Sequence, residues 1–273
     1  MNATFGRCGF ALGSIVLWIS CYSIGNSQEP PRRPEERISQ IWMAEPGDNS
    51  LEHWPPRELF EDQGVILEWN QQKLTIVRPN SKTVSTIIGD QVVRIEPAWS
   101  NDSAEKLHRM YCDRLFPAVL NNGKATIGSK LPLWEKLLIL AEMIESASSL
   151  GKTVVAATLF SSLAKENSPE LLLATIPISW GDEVLADDQV KLQGLAENWI
   201  KEEHEALQLM GASWLLSGSK RSMAVQKLEL LAKNSKIRVI SAYAKAQLWR
   251  TVPPAEIMSD RYTQWISQRD SLP

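Results

Sequence analysis

The feature of this chain that most constrains its fold is a helical pattern that occurs twice at a fixed distance. Residues 151–165, GKTVVAATLFSSLAK, align without a gap on residues 219–233, SKRSMAVQKLELLAK. The matched pairs are Lys152 with Lys220, Ala156 with Ala224, Phe160 with Leu228, and Leu163-Ala164-Lys165 with Leu231-Ala232-Lys233. The offset is 219 − 151 = 68 residues, which is twice 34. A unit of that length predicts an array of similar helical hairpins.

A shorter motif adds to this periodicity. It consists of an apolar residue, two further residues, then Leu-Ala and a charged residue, and it occurs at residues 137–142, 160–165, 192–197 and 228–233. The starting positions are 23, 32 and 36 residues apart. The motif and the 68-residue offset together favour a repeat over an irregular helical chain.

Two families of helical repeats resemble parts of this pattern. Residues 141–169 resemble a tetratricopeptide unit at Ala157, Ala164 and Pro169, although Glu145 stands where that unit has glycine. Residues 223–250 are more similar to a HEAT-type helix pair, and the positions concerned are Ala224, Leu228, Leu231, Ala232, Val239, Ala242, Ala246 and Leu248. The resemblance covers roughly residues 104–268. It implies an α-solenoid of the bacterial cell envelope that presents a surface to a protein or peptide partner.

A physical argument leads to the same architecture without a family name. A single helical hairpin cannot bury its apolar face, and isolated helices of this length are marginal in water. Alanines at positions such as Ala156, Ala164, Ala224 and Ala232 allow helix axes to approach closely, so that stacked hairpins share one core. A compact helical bundle without a true repeat remains the alternative.

Individual helices are predicted from caps and breaks. One begins at Asp102 or Ser103 and is ended by Pro117 and the segment NNGKATIGSK. The next runs from Pro132 to Gly151, and another runs from Thr153 to about Glu166. Residues 170–201 are predicted to form an irregular pair or a loop, and a last helix is predicted to start near Pro253-Pro254 and to carry Ile257, Met258, Tyr262, Trp265 and Ile266.

Residues 64–96 have a different character, with short β-branched runs separated by turn signals. The runs are 65–67, 74–77, 84–88 and 92–95, and four strands at this spacing predict a meander or a small SH3-like barrel. Such a module binds a peptide or glycan, or it caps the neighbouring domain. Residues 38–63 contain Pro-Gly and Pro-Pro breaks and are expected to be irregular.

The first residues are typical of an export signal. Arg7 precedes an uncharged stretch with an apolar centre at residues 10–24, and Gly25-Asn26-Ser27 offers small residues for cleavage. Retention as an anchor and lipidation of Cys21 stay open as alternatives. Residues 28–37, QEPPRRPEER, combine three prolines with six charges and predict a tether.

Composition excludes some classes of function. The net charge of −3 provides no large basic field for nucleic acid. Of three cysteines, only Cys112 lies outside the predicted leader, which excludes a cysteine-rich metal site and predicts a small buried residue at that position. Ten of eleven tryptophans follow the leader, and core packing is the expected role for most of them.

The search for chemical motifs yields incomplete matches. SASSLGKT at residues 146–153 approaches a phosphate-binding loop but begins with Ser146 and follows a helix. KEEHEAL at residues 201–207 lacks the second histidine of a zinc peptidase, since position 208 is Gln208, and is interpreted as a helix start. Asp182-Glu183 and Asp187-Asp188 lack the spacing of an EF-hand, and His53 and His108 are isolated.

Taken together, these patterns predict an α+β protein. The predicted parts are a signal peptide at 1–27, a tether at 28–37, a small β-rich module at 38–100 and a helical repeat domain at 101–273. We expect an exported, non-catalytic interaction or scaffold protein of the cell envelope that binds a protein or peptide. No catalytic, cofactor-binding or metal-binding residue is predicted, and binding residues are left unassigned. The alternatives are an extracytoplasmic hydrolase acting on peptide or glycan and a structural component that binds wall polymer.

Overall fold

The computed structural model describes residues 37–44, 59–79, 83–180 and 186–251, with side chains in the last range from residue 188 onward. Within them, five strands are followed by nine helices, which confirms an α+β protein. The predicted leader, the tether and the predicted last helix from residue 253 lie outside the described residues. No helix in the described ranges combines the length and the apolar character that crossing a membrane requires.

The strands form one antiparallel sheet in the order β4-β3-β2-β1-β5. Their bounds are β1 Ser39–Ala44, β2 Leu59–Trp69, β3 Lys73–Val77, β4 Val84–Ile88 and β5 Val92–Glu96. The long strand β2 pairs with β1 through its first half and with β3 through its second half. A short 3-10 turn, Gly89–Gln91, separates β4 from β5.

Alternation of side chains explains why these segments are strands. In β3, Leu74 and Ile76 are fully buried while their neighbours are partly exposed, the period of two that a half-buried strand requires. The four predicted runs all lie in strands, but the expectation for 38–63 was wrong at both described ends. Residues 39–44 form β1, and residues 59–63 form the start of β2, because these two segments pair with each other and β1 also pairs with β5. No local signal in the sequence indicates these distant partners.

The helices follow from residue 102. Their bounds are α1 Asp102–Cys112, α2 Phe116–Ile127, α3 Leu133–Ser149, α4 Thr153–Lys165, α5 Glu170–Leu173, α6 Ala186–Trp199, α7 Glu205–Leu215, α8 Arg221–Asn234 and α9 Arg238–Trp249. The predicted stop at Gly151 is confirmed, since its φ is +68°. In the irregular stretch 170–201, the structure has one helical turn, α5, and the complete helix α6.

Helix α2 contradicts the predicted break at Pro117 and NNGKATIGSK. Pro117 is the second residue of α2, in the first turn, where a missing N–H costs nothing. Gly123, in the middle, faces α3 so closely that an added Cβ would lie 2.3 Å from the Met143 sulfur. Glycine is therefore present for close helix packing, and tertiary contact overrides its weak helix propensity.

Helices of the same parity begin at nearly constant intervals. The odd-numbered helices begin at residues 102, 133, 170, 205 and 238, which are 31, 37, 35 and 33 residues apart. The even-numbered helices begin at 116, 153, 186 and 221, which are 37, 33 and 35 residues apart. Contacts join neighbours along the chain, such as α2 with α3 and α8 with α9, and also next neighbours, such as α1 with α3 and α7 with α9.

Side chains that are 34 residues apart touch directly. His108 contacts Glu142, Tyr111 contacts Glu145, and the Ser213 hydroxyl contacts the backbone of Ser179, each at a separation of 34 residues. The Gln247 amide donates to the carbonyl of Ser179, which lies 68 residues earlier. Corresponding positions of successive units are therefore neighbours in space.

The sheet packs against the odd-numbered helices. Strand β2 contacts α3, while β5 and the 3-10 turn contact α5. Arg238, at the start of α9, pairs with Asp90 at 2.9 Å. Asn167, just before α5, donates to Gln72 at 2.8 Å. The buried apolar residues of the sheet and of the helices form one contiguous cluster, so the two parts share a core.

Gly211 lies where α7 closely approaches the backbone of α6, and its substitution tests this packing. A Cβ on Gly211 would lie 2.6 Å from the Ile200 nitrogen and 2.8 Å from the Ala196 oxygen, both backbone atoms. We expect Gly211→Ala to lower the free energy of unfolding by about 1–3 kcal/mol through overpacking. Urea denaturation followed by circular dichroism measures this change.

The matched control is Gly194→Ala, at an exposed position of α6 where an added Cβ meets nothing within 4 Å. It should raise stability by up to about 1 kcal/mol through helix propensity alone. Equal effects of the two substitutions would contradict close α6–α7 packing.

Candidate functional site

Three carboxylates of α3 are largely withdrawn from water, and each is held by a different contact. Glu135 is 1% exposed, and both of its oxygens accept hydrogen bonds from Ser100, one from the backbone N–H at 3.0 Å and one from the hydroxyl at 2.9 Å. Burial raises the pKa of Glu135, while the Ser100 hydrogen bonds and the charge of Arg37 oppose that shift. This contact fastens the segment after β5 to the start of α3.

The second carboxylate, Glu142, pairs with His108 between α1 and α3. The Nδ1 of His108 lies 2.5 Å from Glu142 Oε1, and the Glu142 side chain is 2% exposed. The second oxygen, Oε2, is buried without a hydrogen-bond partner among the described residues. Burial raises the pKa of Glu142, and the contact with His108 acts in the opposite direction.

One tryptophan lies against the imidazole, and a second tryptophan stacks on the first. The Trp99 ring lies 5.3 Å from the His108 ring and 6.5 Å from the Trp134 ring, centroid to centroid. Trp99 and Trp134 are 4% and 5% exposed. They confirm core packing as the role expected for them.

The third carboxylate, Glu145, lies one helical turn further along α3. The Tyr111 hydroxyl donates a hydrogen bond to Glu145 Oε2. Burial raises the pKa of Glu145 to about 7, and the charge of Glu142 adds to the shift. The pKa of Tyr243 in α9 is also raised, mainly by burial and in part by the charge of Glu145. Glu142 and Glu145 thus form an acidic cluster with His108 and Tyr111.

An open depression lies elsewhere on the surface. Its lining residues are Lys165, Asn198, Lys201, Glu202, Glu203, His204 and Leu207. His204 is the N-cap of α7, and its Nδ1 accepts from the N–H of Ala206 at 3.3 Å. Burial lowers the pKa of His204. The interpretation of KEEHEAL as a helix start is confirmed.

The remaining candidates do not come together in one place. Gly151 and Lys152 lie in the turn between α3 and α4, and Asp188 lies 3.9 Å from Lys191 within α6. His53, Asp182 and Glu183 lie outside the described residues, as does the side chain of Asp187. Within the described part of the chain, no three His, Cys, Asp or Glu side chains are placed to hold a metal ion.

Cys112 differs from its expected role. It is partly exposed rather than buried, and its sulfur lies 3.6 Å from His108 Nε2. The expectation of a small buried residue was therefore wrong. The other two cysteines, Cys8 and Cys21, lie outside the described residues.

Exposed apolar side chains recur on three of the four even-numbered helices. Val155 in α4, Val190 in α6 and Met223 in α8 are 43%, 72% and 38% exposed, and they lie 35 and 33 residues apart. We call these three residues the even-helix row. An exposed basic residue lies within three positions of each of them in the sequence, and the three are Lys152, Lys191 and Arg221. Of these, Lys191 lies 3.9 Å from Asp188.

Searches of protein-family models, of curated proteins and of solved structures found no match to this chain.

The acidic cluster and the even-helix row escaped prediction for different reasons. Glu142 and Glu145 look like ordinary surface acids in the sequence, and His108 looks isolated. The available signal was the 34-residue separation, which places His108 opposite Glu142 and Tyr111 opposite Glu145. The members of the even-helix row are also about 34 residues apart. Finding them requires the helix starts to within a residue or two, because only then is the exposed face of each helix known.

The raised pKa of Glu145 predicts a pH-dependent stability. The folded chain holds this proton up to about pH 7, whereas an ordinary glutamate with a pKa of 4.5 releases it earlier. Folding therefore binds a proton in this window, so the free energy of unfolding falls as pH rises from about 4.5 to about 7. At about 1.4 kcal/mol per pKa unit, the full effect is roughly 3 kcal/mol.

Glu145→Gln should remove this part of the pH dependence, because the amide stays neutral and still accepts from Tyr111. At pH 8 the variant should be more stable than the wild type by about 1–3 kcal/mol, and near pH 5 the two should be similar. Urea denaturation at a series of pH values checks this. Glu229→Gln on the exposed side of α8 is the control, and parallel curves for Glu145→Gln and the wild type would disprove the assignment.

Proposed function

We propose that this chain is an exported, non-catalytic interaction protein of the cell envelope, whose helical-repeat surface binds a protein or peptide. The observation that carries the proposal is the even-helix row, whose members lie 35 and 33 residues apart, close to the intervals of 33 and 35 residues between the starts of α4, α6 and α8. Export rests on the pattern of residues 1–27, which resembles a secretory signal.

Regular spacing supports a solenoid-like array. Odd and even helices alternate with starts about 34 residues apart, and corresponding side chains stack. Ala157 and Ala164, the small positions of the tetratricopeptide resemblance, are both fully buried, and Pro169 is the N-cap of α5. These are the roles that such positions have in stacked hairpins.

The sheet supports an SH3-like barrel for the β module. Its order, its bent central strand with a register shift between Ile66 and Glu68, and the 3-10 turn before the last strand are all typical of that architecture. Because this module contacts α3, α5 and the start of α9, it occupies part of the odd-helix side. Capping of the helical part is therefore its favoured role, and a partner has the even-helix side available.

The chemistry of the even-helix row indicates the kind of partner. Each of its members has an exposed basic residue within three positions in the sequence, and Val155 and Met223 lie in the first turns of α4 and α8, while Val190 is the fifth residue of α6. Helix N-termini carry a partial positive charge that adds to the basic side chains. An extended peptide in which apolar and acidic residues alternate would match both features.

The acidic cluster is the observation that would favour the alternative, a hydrolase. Its two glutamates have raised pKa values, and shifted pKa values are common among catalytic groups. However, His108 and Glu142 are 14% and 2% exposed and lie between packed helices. A structural role in joining α1 to α3 is the better account of that geometry.

Selection from a random peptide display library tests the proposal. The immobilised chain should enrich peptides that combine acidic and apolar residues. Substituting all three members of the even-helix row, Val155→Asp, Val190→Asp and Met223→Asp, should weaken binding of those peptides at least tenfold, about 1.4 kcal/mol, because acid on the row repels them. Isothermal titration with one enriched peptide measures the affinity.

The control variant carries Leu133→Asp and Leu67→Asp, which replace residues of α3 and β2 that are 56% and 54% exposed and lie away from the row. It should bind as the wild type does. Failure to enrich any peptide, together with no reproducible retention from envelope extract, would refute the proposed function. An equal loss of peptide affinity in the row variant and the control variant would refute the even-helix row as the binding surface.

A further inference from the structure

Among the described residues, strand β4 is an edge of the sheet without charges, proline or a bulge to prevent pairing. Its inner side pairs with β3 from Val77↔Val84 to Lys73↔Ile88, and within the described residues no strand pairs with its other side. Its sequence, VSTII, contains no charge and no proline. Edge strands normally avoid association through charges, proline or bulges.

The opposite edge shows the contrast. Strand β5 carries Arg94 and Glu96, which pair with each other, and it contacts α5. The guanidinium of Arg94 also lies 4.4 Å from the ring centre of Trp42. That edge is charged and packed, whereas β4 is uncharged and presents apolar side chains to solvent.

The exposed side chains of β4 are apolar or β-branched. Val84 and Ile88 are 63% and 58% exposed, Thr86 is exposed between them, and Ile87 is turned inward and buried. β-branched residues facing one another across an antiparallel pair stabilise it. A β-strand is therefore the occupant for which this edge is suited.

We propose that β4 is the edge through which two copies of this chain pair as antiparallel strands. A twofold axis at Thr86 places Val84 of one copy opposite Ile88 of the other, and Thr86 opposite Thr86. Apolar residues then face apolar residues with no charge in the contact. This self-complementarity is what a twofold interface requires, and a strand from an unrelated partner would not need it.

The expected dimer is weak. A five-residue strand pair buries less surface than the roughly 1,000 Å² of a stable interface. Association should therefore depend on concentration in the micromolar range or above. The proposal is independent of the even-helix row, which lies on the helical part of the chain.

Sedimentation velocity of the full chain over about a hundredfold range of concentration tests the proposal. The wild type should shift from monomer to dimer. Val84→Lys combined with Ile88→Lys should weaken association at least tenfold, because like charges then face each other, and so should Val84→Glu combined with Ile88→Glu. An equimolar mixture of the two variants should regain a dimer, since each lysine then faces a glutamate.

The matched control is Leu67→Lys, which replaces a residue of β2 that is 54% exposed but lies away from the edge. It should dimerise as the wild type does. A wild type that stays monomeric throughout, or a lysine variant that dimerises normally, would overturn the proposal.

Hydrogen exchange of the unmodified chain supplies a second measurement that needs no substitution. The amides of residues 84–88 should exchange at least tenfold more slowly at the highest concentration than at the lowest. Dimerisation without added protection of β4 would show that another surface is used and would overturn the proposal.

Discussion

Close stacking of short helices at a separation of about 34 residues is the constraint on which the rest of this structure depends. Each helix has one face that it cannot bury alone, so neighbouring units must cover it. The contacts are made where side chains are small: Ala156, Ala157 and Ala164 in α4 are fully buried, and Gly211 in α7 meets the backbone of α6. Larger residues at these positions would separate the helix axes and open the shared core.

The acidic cluster is a consequence of this stacking. When α1 lies against α3 with a shift of 34 residues, His108 meets Glu142 and Tyr111 meets Glu145. The carboxylates lose water, and the imidazole and the phenol replace only part of what water supplied. Raised pKa values for both glutamates are the result, and the stability of the α1–α3 contact becomes dependent on pH.

The surfaces of the molecule divide according to the same alternation of helices. Within the described residues, the sheet contacts three odd-numbered helices, namely α3, α5 and the start of α9. The even-numbered helices present the exposed row of Val155, Val190 and Met223 with its basic neighbours. The interaction role proposed for this chain depends on that difference between the two sides.

Sequence reasoning predicted the elements better than their arrangement. The strand runs 74–77 and 84–88, the stop at Gly151 and the helix α4 are set by local preference, and the structure has each of them. Local signals failed where a distant partner decides. β1 is a strand because β2 and β5 pair with it, and α2 continues through Gly123 because Met143 packs against that position.

The sequence by itself determined an α+β chain and a helical period near 34, because hydrophobic spacing and caps act within a few residues along the chain. Only the tertiary structure decided which acids are buried, which helices the sheet covers and which strand is left at the edge. Those properties arise between groups such as His108 and Glu142, or Asp90 and Arg238, that are far apart in the chain. Their energies are set by desolvation and by partners that folding alone brings into contact.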